Sequence, residues 1–260
     1  MRFRKIFRSV SEDEIDVSES FGVRSLHLGT PAIQSAMRLS KPDALELAYT
    51  RAMMAFLLFN QDPGEILMIG LGGGSLAKFV HRHLKNSRTV AVEINPRVVS
   101  IARNLFFLPE DDERLQVVVD DGANYLPGRT SCADIIMVDA YGGHAQPEAL
   151  TSAAFYAHAR EALKPEGVLV VNLWGSDKHF SLYLSRIREA FDGLALCLPA
   201  EKHGNIIVFG FRNFIGNPSW QNLREEARAL SKLYDLDFLS FVEGLKKLNR
   251  HTENRLMLSQ

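Results

Sequence analysis

Three acids stand at the ends of successive apolar runs in this chain: Glu93 closes "RTVAVE", Asp121 follows "LQVVVD", and Asp139 closes "DIIMVD". Upstream of them, "EILMIG" turns through the glycine-rich "GLGGGSL" (70–76). Gly70, Gly72 and Gly74 let backbone pass close to a ligand, and the helix that starts there offers free N–H groups. An acid about twenty residues after such a loop can accept from both hydroxyls of a ribose, which is the place of Glu93. Asp121, before Gly122, can accept from an adenine amino group. Each acid also has a plainer use, as the cap of the helix that succeeds its strand. Their shared placement at strand ends favours a bound adenosine moiety. Asp139 differs in leading into the loop "AYGGHAQ", which has two adjacent glycines. A fixed carboxylate beside a closing loop is suited to accept a proton.

The elements that must position these groups alternate. Short apolar runs at 65–70, 88–93, 115–120, 134–139 and 167–174 suit strands buried on both faces of a parallel sheet. Helical patterns separate them: "SLAKFVHRHL", "PRVVSIARNLFF", "LTSAAFYAHAREAL" and "FSLYLSRIREAF". Pro96 suits the first turn of its helix, and Pro165-Glu166-Gly167 reads as a helix end. The result is a doubly wound α/β sheet. "LALCLPA" and "NIIVFGF" come next, joined by a short turn around Gly204, and read as a terminal antiparallel pair. A mostly parallel seven-stranded sheet with that ending is the class I methyltransferase-like form of the Rossmann fold. Ser75 in place of a third glycine, and the antiparallel ending, argue against a nicotinamide oxidoreductase. Residues 1–42 read as a small N-terminal β-hairpin region. Residues 43–260 read as the adenosyl-donor-binding catalytic domain, opened by an amphipathic helix over 43–59 and closed by one or two helices within 218–256.

The 260 residues are 46% hydrophobic and 23% charged, with a net charge of −1. That balance advertises neither nucleic acid nor an anionic membrane as partner. The basic start, Arg2, Arg4, Lys5 and Arg8, has no apolar run behind it, so it is read as a solvated edge strand rather than a secretory signal. No run of about 18 apolar residues predicts a membrane span. Two cysteines, Cys132 and Cys197, form no disulfide framework, and a cytoplasmic setting is expected. No metal-ligand motif occurs, and no metal is expected.

The segments "ILMIGLGGGSLAKFVHRH", "VAVEINPRVVSIAR", "VVVDDGANYL", "DIIMVDAYGG" and "FYAHAREALKPEGVLVVNLWGS" resemble the spermidine synthase family, and the likeness covers roughly residues 20–210. It includes "FGVRSLHLGTPAIQSAM", similar to that family's short β domain. The resemblance implies aminopropyl transfer from decarboxylated S-adenosylmethionine to a small-molecule amine, and a homodimer. It implies that Glu93 holds the ribose and Asp121 the adenine, that Asp139 is the catalytic acid at the start of a gate loop, and that Gln34 and Tyr49 match a glutamine and a tyrosine of the binding sites.

Three acids of the family pattern are replaced. Gly73 stands where an aspartate binds the donor's amino group, Gly142 replaces a second gate-loop aspartate, and Arg51 replaces the glutamate of a tyrosine-x-glutamate pair. Charge-assisted hydrogen bonds contribute about 1.5–3 kcal/mol each, so weaker diamine binding and a weaker preference for the decarboxylated donor are expected. The alternative readings are a methyltransferase using intact S-adenosylmethionine, whose carboxylate Arg51 would meet, and a non-catalytic adenosyl-ligand or polyamine-binding protein. On the acceptor side, His144 is a second candidate base or a solvated loop residue. Tyr141 either stacks on a flat acceptor or packs the loop. Trp174 either lines the acceptor pocket or fills core.

Overall fold

The alternating apolar runs become a seven-stranded sheet because each strand contributes side chains to two separate cores. In the computed structural model, which describes residues 15–141, 146–200 and 204–258, the central strands are β4 (Glu65–Ile69), β5 (Arg88–Glu93), β6 (Leu115–Val119), β7 (Ala133–Val138) and β8 (Leu163–Trp174). They are parallel to one another. β10 (Asn205–Phe211) runs antiparallel between β8 and β9 (Ala195–Pro199), giving the order β6-β5-β4-β7-β8-β10-β9. Side chains alternate across a strand, so Ile66 and Met68 join one core while Leu67 and Ile69 join the other.

The first core is covered by α1 (Ala48–Met53), α2 (Ser75–His83), α7 (Trp220–Tyr234) and α8 (Phe238–Leu248), the second by α5 (Ala153–Ala162) and α6 (Phe180–Ala190). The remaining helices are α3 (Pro96–Phe106) and the short α4 (Gly122–Tyr125). Pro96 opens α3 behind the Asn95 cap, as its fixed φ predicts. Among the described residues, no helix is long and apolar enough to cross a membrane. The basic N-terminal stretch lies outside the described residues.

The small region upstream is a three-stranded antiparallel sheet of β1 (Ile15–Ser20), β2 (Val23–Leu28) and β3 (Ser35–Arg38). Leu26 and Met37 pack on Phe106 of α3. The buried Lys78 of α2 donates to the Phe106 carbonyl oxygen at 2.6 Å and to the Met37 sulfur of β3 at 3.1 Å, and the second bond ties this sheet to the larger body.

Two elements differ from the sequence pattern. The helix expected over 43–59 is α1 alone, which passes at Met54 into a 3₁₀ turn through Leu58. Residues 52–58 are all buried, so the segment is a core element rather than an amphipathic surface helix. β8 begins at Leu163, and Pro165 lies within it: the irregular β7–β8 register between Ala133 and Ile135 absorbs a residue that cannot donate to the ladder.

Candidate active site

Strand order reverses beside β4, whose neighbours β5 and β7 lead to opposite sides of the sheet. Ligands of open α/β sheets bind in the crevice outside the strand carboxyl ends at such a point. A cavity of about 250 Å³ lies there, lined by Gln34, Tyr49, Gly70, Gly72, Glu93, Asp121, Gly122, Asp139 and Tyr141 among others.

The glycine loop forms one wall. Gly70 and Gly72 have positive φ, and a Cβ on Gly70 would overlap the Asp139 carbonyl oxygen. Gly74 lies outside the lining. It sits in the left-handed region at the N-cap of α2, packed on Leu108, and turns the chain into the helix. Gly73 explains the missing aspartate: a Cβ there would lie 2.8 Å from both Ser35 Oγ and Phe106 Cδ1. Ser75, in the place of the third glycine, bonds Ser35 Oγ at 3.3 Å and so joins the loop to the small sheet.

Glu93 is buried and holds the loops on both sides of it. Its Oε2 accepts from the Leu71 amide and its Oε1 from the Asn95 amide, each at 3.0 Å. Each carboxylate oxygen keeps a further lone pair. Asp121 caps α4 by accepting from the Ala123 amide at 2.9 Å, and it still lines the cavity. The helix-capping and ligand-facing readings thus coexist at this residue. Gly122 packs against Ile69 so closely that any side chain would overlap it.

Asp139 succeeds β7, with its amide on the Ile69 carbonyl at 2.9 Å. Burial pushes its carboxyl up from the ordinary 3.8 to about 6, against hydrogen bonds from Asn172 and Tyr49 that favour the ionised form. The Tyr49 hydroxyl reaches the Gln34 carbonyl oxygen at 2.9 Å as well as the Asp139 carboxylate. Burial, and then the Asp139 charge, raise the Tyr49 pKa well above the usual phenol range. Tyr141, whose pKa is also raised, first by burial and then by Asp139, donates to the Asn172 carbonyl oxygen at 3.0 Å. Its hydroxyl therefore anchors the start of the loop.

The expectations for Trp174 and Arg51 change. Trp174 is 46% exposed and neither lines the cavity nor fills core. Arg51 lines a separate cleft with Arg82 and His83 on the far side of α1. Residues i and i+2 of a helix do not share a face, and Tyr49 takes the inner one. His144 lies outside the described residues. Asn172, which touches Asp139, and Gln146, which donates to the Asn172 main-chain oxygen, carry no expectation from the sequence pattern. Asn172 and Gln146 are both buried, and Asn172 donates to Asp139 Oδ1 at 2.9 Å. The signal for Asn172 was present, as the single amide in "GVLVVNLW".

A sequence model of the spermine/spermidine synthase domain matches residues 46–193. A polyamine aminopropyltransferase of Chromobacterium violaceum is 42% identical over 258 residues, covering 98% of this chain and 99% of its own. A probable spermidine synthase of Corynebacterium glutamicum has a TM-score of 0.71 at 24% identity, covering 84% of this chain and 83% of that one, which bears on the fold. Human methyltransferase-like protein 13, solved with SAH, has a TM-score of 0.65 at 29% identity, covering 72% of this chain and 92% of its own.

Proposed function

This chain belongs to the spermine/spermidine synthase family and is a transferase, and on that premise we propose that it moves an aminopropyl group from decarboxylated S-adenosylmethionine to a small amine. The observation that carries this reading is the charge of the cavity. Glu93, Asp121 and Asp139 line it, and no lysine or arginine among the described residues does. The decarboxylated donor carries a sulfonium and an ammonium, and its partner is an amine, so both substrates bring positive charge to a site of carboxylates. The intact donor would add a carboxylate with no cation to meet it in a largely apolar cavity, at a desolvation cost. With Arg51 outside the cavity, the methyltransferase alternative loses its cationic anchor.

In this reading Glu93 accepts from the ribose hydroxyls and Asp121 from the adenine amino group. Asp139 takes the proton that the acceptor nitrogen must lose. The nitrogen lone pair attacks the aminopropyl carbon bonded to sulfur. The C–S bond breaks with its electron pair moving to sulfur, the sulfonium becomes a neutral thioether, and the N–H proton passes to Asp139. A base with a pKa of about 6 is ionised at neutral pH and sits close to the operating range.

The test is turnover of the purified protein with decarboxylated and intact donor, each against a panel of di- and polyamines. Methylthioadenosine released with the decarboxylated donor supports the reading. Methylated amine and demethylated donor formed from intact S-adenosylmethionine, with no methylthioadenosine from the other, would replace it with the methyltransferase.

A further inference from the structure

Between Val168 and Leu173, β8 carries a single polar side chain, Asn172, which is 2% exposed. A buried amide is unfavourable unless its donors and acceptors find partners, and both ends of this one do. Its Nδ2 donates to Asp139 Oδ1 at 2.9 Å, and its Oδ1 accepts from Asn205 Nδ2 at 2.9 Å. Its main-chain oxygen accepts from Tyr141 Oη at 3.0 Å and Gln146 Nε2 at 2.7 Å.

The chain of amides has a direction. An ionised carboxylate only accepts, so the N–H end of Asn172 faces Asp139, and its oxygen end is left to accept from Asn205. An N–H donor stabilises an ionised carboxylate and cannot remove its charge. The register makes this possible: Val138 pairs with Val171 across β7 and β8, which sets Asp139 beside Asn172. On the other side of β8, Asn172 pairs with Ile207, and Asn205 opens the same strand, β10. A relay of two amides from β8 and β10 therefore ends on the carboxylate that follows β7.

We propose that Asn172, oriented by Asn205, is the positioning residue for Asp139, pinning Oδ1 so that Oδ2 is presented to the acceptor amine. This rests on the reading of Asp139 as the base. A merely structural amide would affect melting only. A positioning amide also affects the pH at which the base becomes competent. The Tyr49 hydroxyl and the Tyr141 phenol also face Asp139. Both have pKa values raised above the usual phenol range, so they stay neutral and hold no charge that titrates with it. Asp139 works ionised, so the rate falls as pH drops through its pKa, and losing the Asn172 donor, with Tyr49 still in place, moves that acid limb to higher pH.

The experiment measures kcat against pH, KM for the decarboxylated donor, and melting for Asn172→Leu, Asn205→Leu and Asp139→Asn. Asn172→Leu is expected to lower kcat at pH 7 by about 10- to 100-fold and to raise the acid limb by about one pH unit, with donor KM within about twofold. Asn205→Leu is expected to move the limb the same way by less. An unmoved limb in folded Asn172→Leu overturns the proposal, whatever its melting temperature. If Asn172→Leu does not fold, Asn205→Leu decides, because it leaves β8 intact, and an unmoved limb there overturns the proposal equally. Full activity in Asp139→Asn overturns the base reading beneath it. An inactive Asp139→Asn, together with unmoved limbs in the asparagine variants, overturns the positioning role alone.

Discussion

Gly70 and Asp139 are in direct backbone contact: the Cα of the glycine lies against the carbonyl group of the acid, with no room for a side chain between them. The last residue of β4, Ile69, also accepts the Asp139 amide. The glycine loop and the proposed base are therefore one rigid unit, and a displacement of either moves the other.

Gly70→Ala tests that unity. At φ +94° an alanine is strained, and its Cβ would displace Asp139. A loss of about 2 kcal/mol or more of stability is expected, together with a fall in turnover larger than the fall in donor affinity. Chemical denaturation, donor titration and steady-state kinetics on one preparation check the three parts.

Asp139→Asn separates catalysis from stability. Turnover should fall about 100-fold or more while donor binding changes little. Stability should move the other way. The folded protein raises this carboxyl from 3.8 to about 6, so it favours the protonated form. That contribution is complete below about pH 3.8 and is lost as pH rises through 6. Above pH 6 the ionised acid opposes folding by about 3 kcal/mol, from roughly two pKa units at 1.36 kcal/mol each. The asparagine variant should melt higher than the parent at pH 8, and the gap should close toward pH 4. A variant that melts lower at pH 8 would show the carboxylate to be structurally required.

Glu93→Ala removes the partner of two backbone amides as well as the proposed ribose anchor. A stability loss on the order of 2 kcal/mol is expected, because the Leu71 and Asn95 amides lose their acceptor. Donor affinity should fall at least about 100-fold, matching two charge-assisted hydrogen bonds. Calorimetric titration of the folded variant reads the second effect, and unchanged affinity there would reject the ribose role.

Arg51→Ala should leave the affinity for both donors, and their ratio, within about twofold of the parent. The arginine faces the outer cleft while Tyr49 and Thr50 of the same helix face the cavity. Side-by-side titration with intact and decarboxylated S-adenosylmethionine checks this. A selective loss of the intact donor would bring Arg51 back to the site and revive the methyltransferase reading.

Much of the site was legible because its signals are local. A strand buried on both faces must be apolar throughout, so the acids that end these runs mark the strand tips, and alternation with helices makes the tips point one way. Glu93, Asp121 and Asp139 emerge from that logic, and the glycines at 70 and 72 from the turn between β4 and α2. The same local pattern placed Gly74 and Trp174 at the site, and neither lines the cavity, because adjacency in sequence does not say which way a residue faces.

By itself, then, the sequence determined the alternating strands of a doubly wound sheet and the row of carboxylates along its edge, since burial and chain direction are encoded in short-range patterns. The tertiary structure alone decided what those carboxylates meet. Asn172 reaches Asp139 through the register of β7 and β8, and Asn205 reaches Asn172 through the antiparallel pairing of β8 and β10. Arg51 is excluded because the helix carrying it is packed with Tyr49 inward. Ser35 and Phe106, from two distant elements, fill the space beside Gly73. Each of these depends on residues far apart in the chain being brought to within a few ångströms, and no local pattern records that distance.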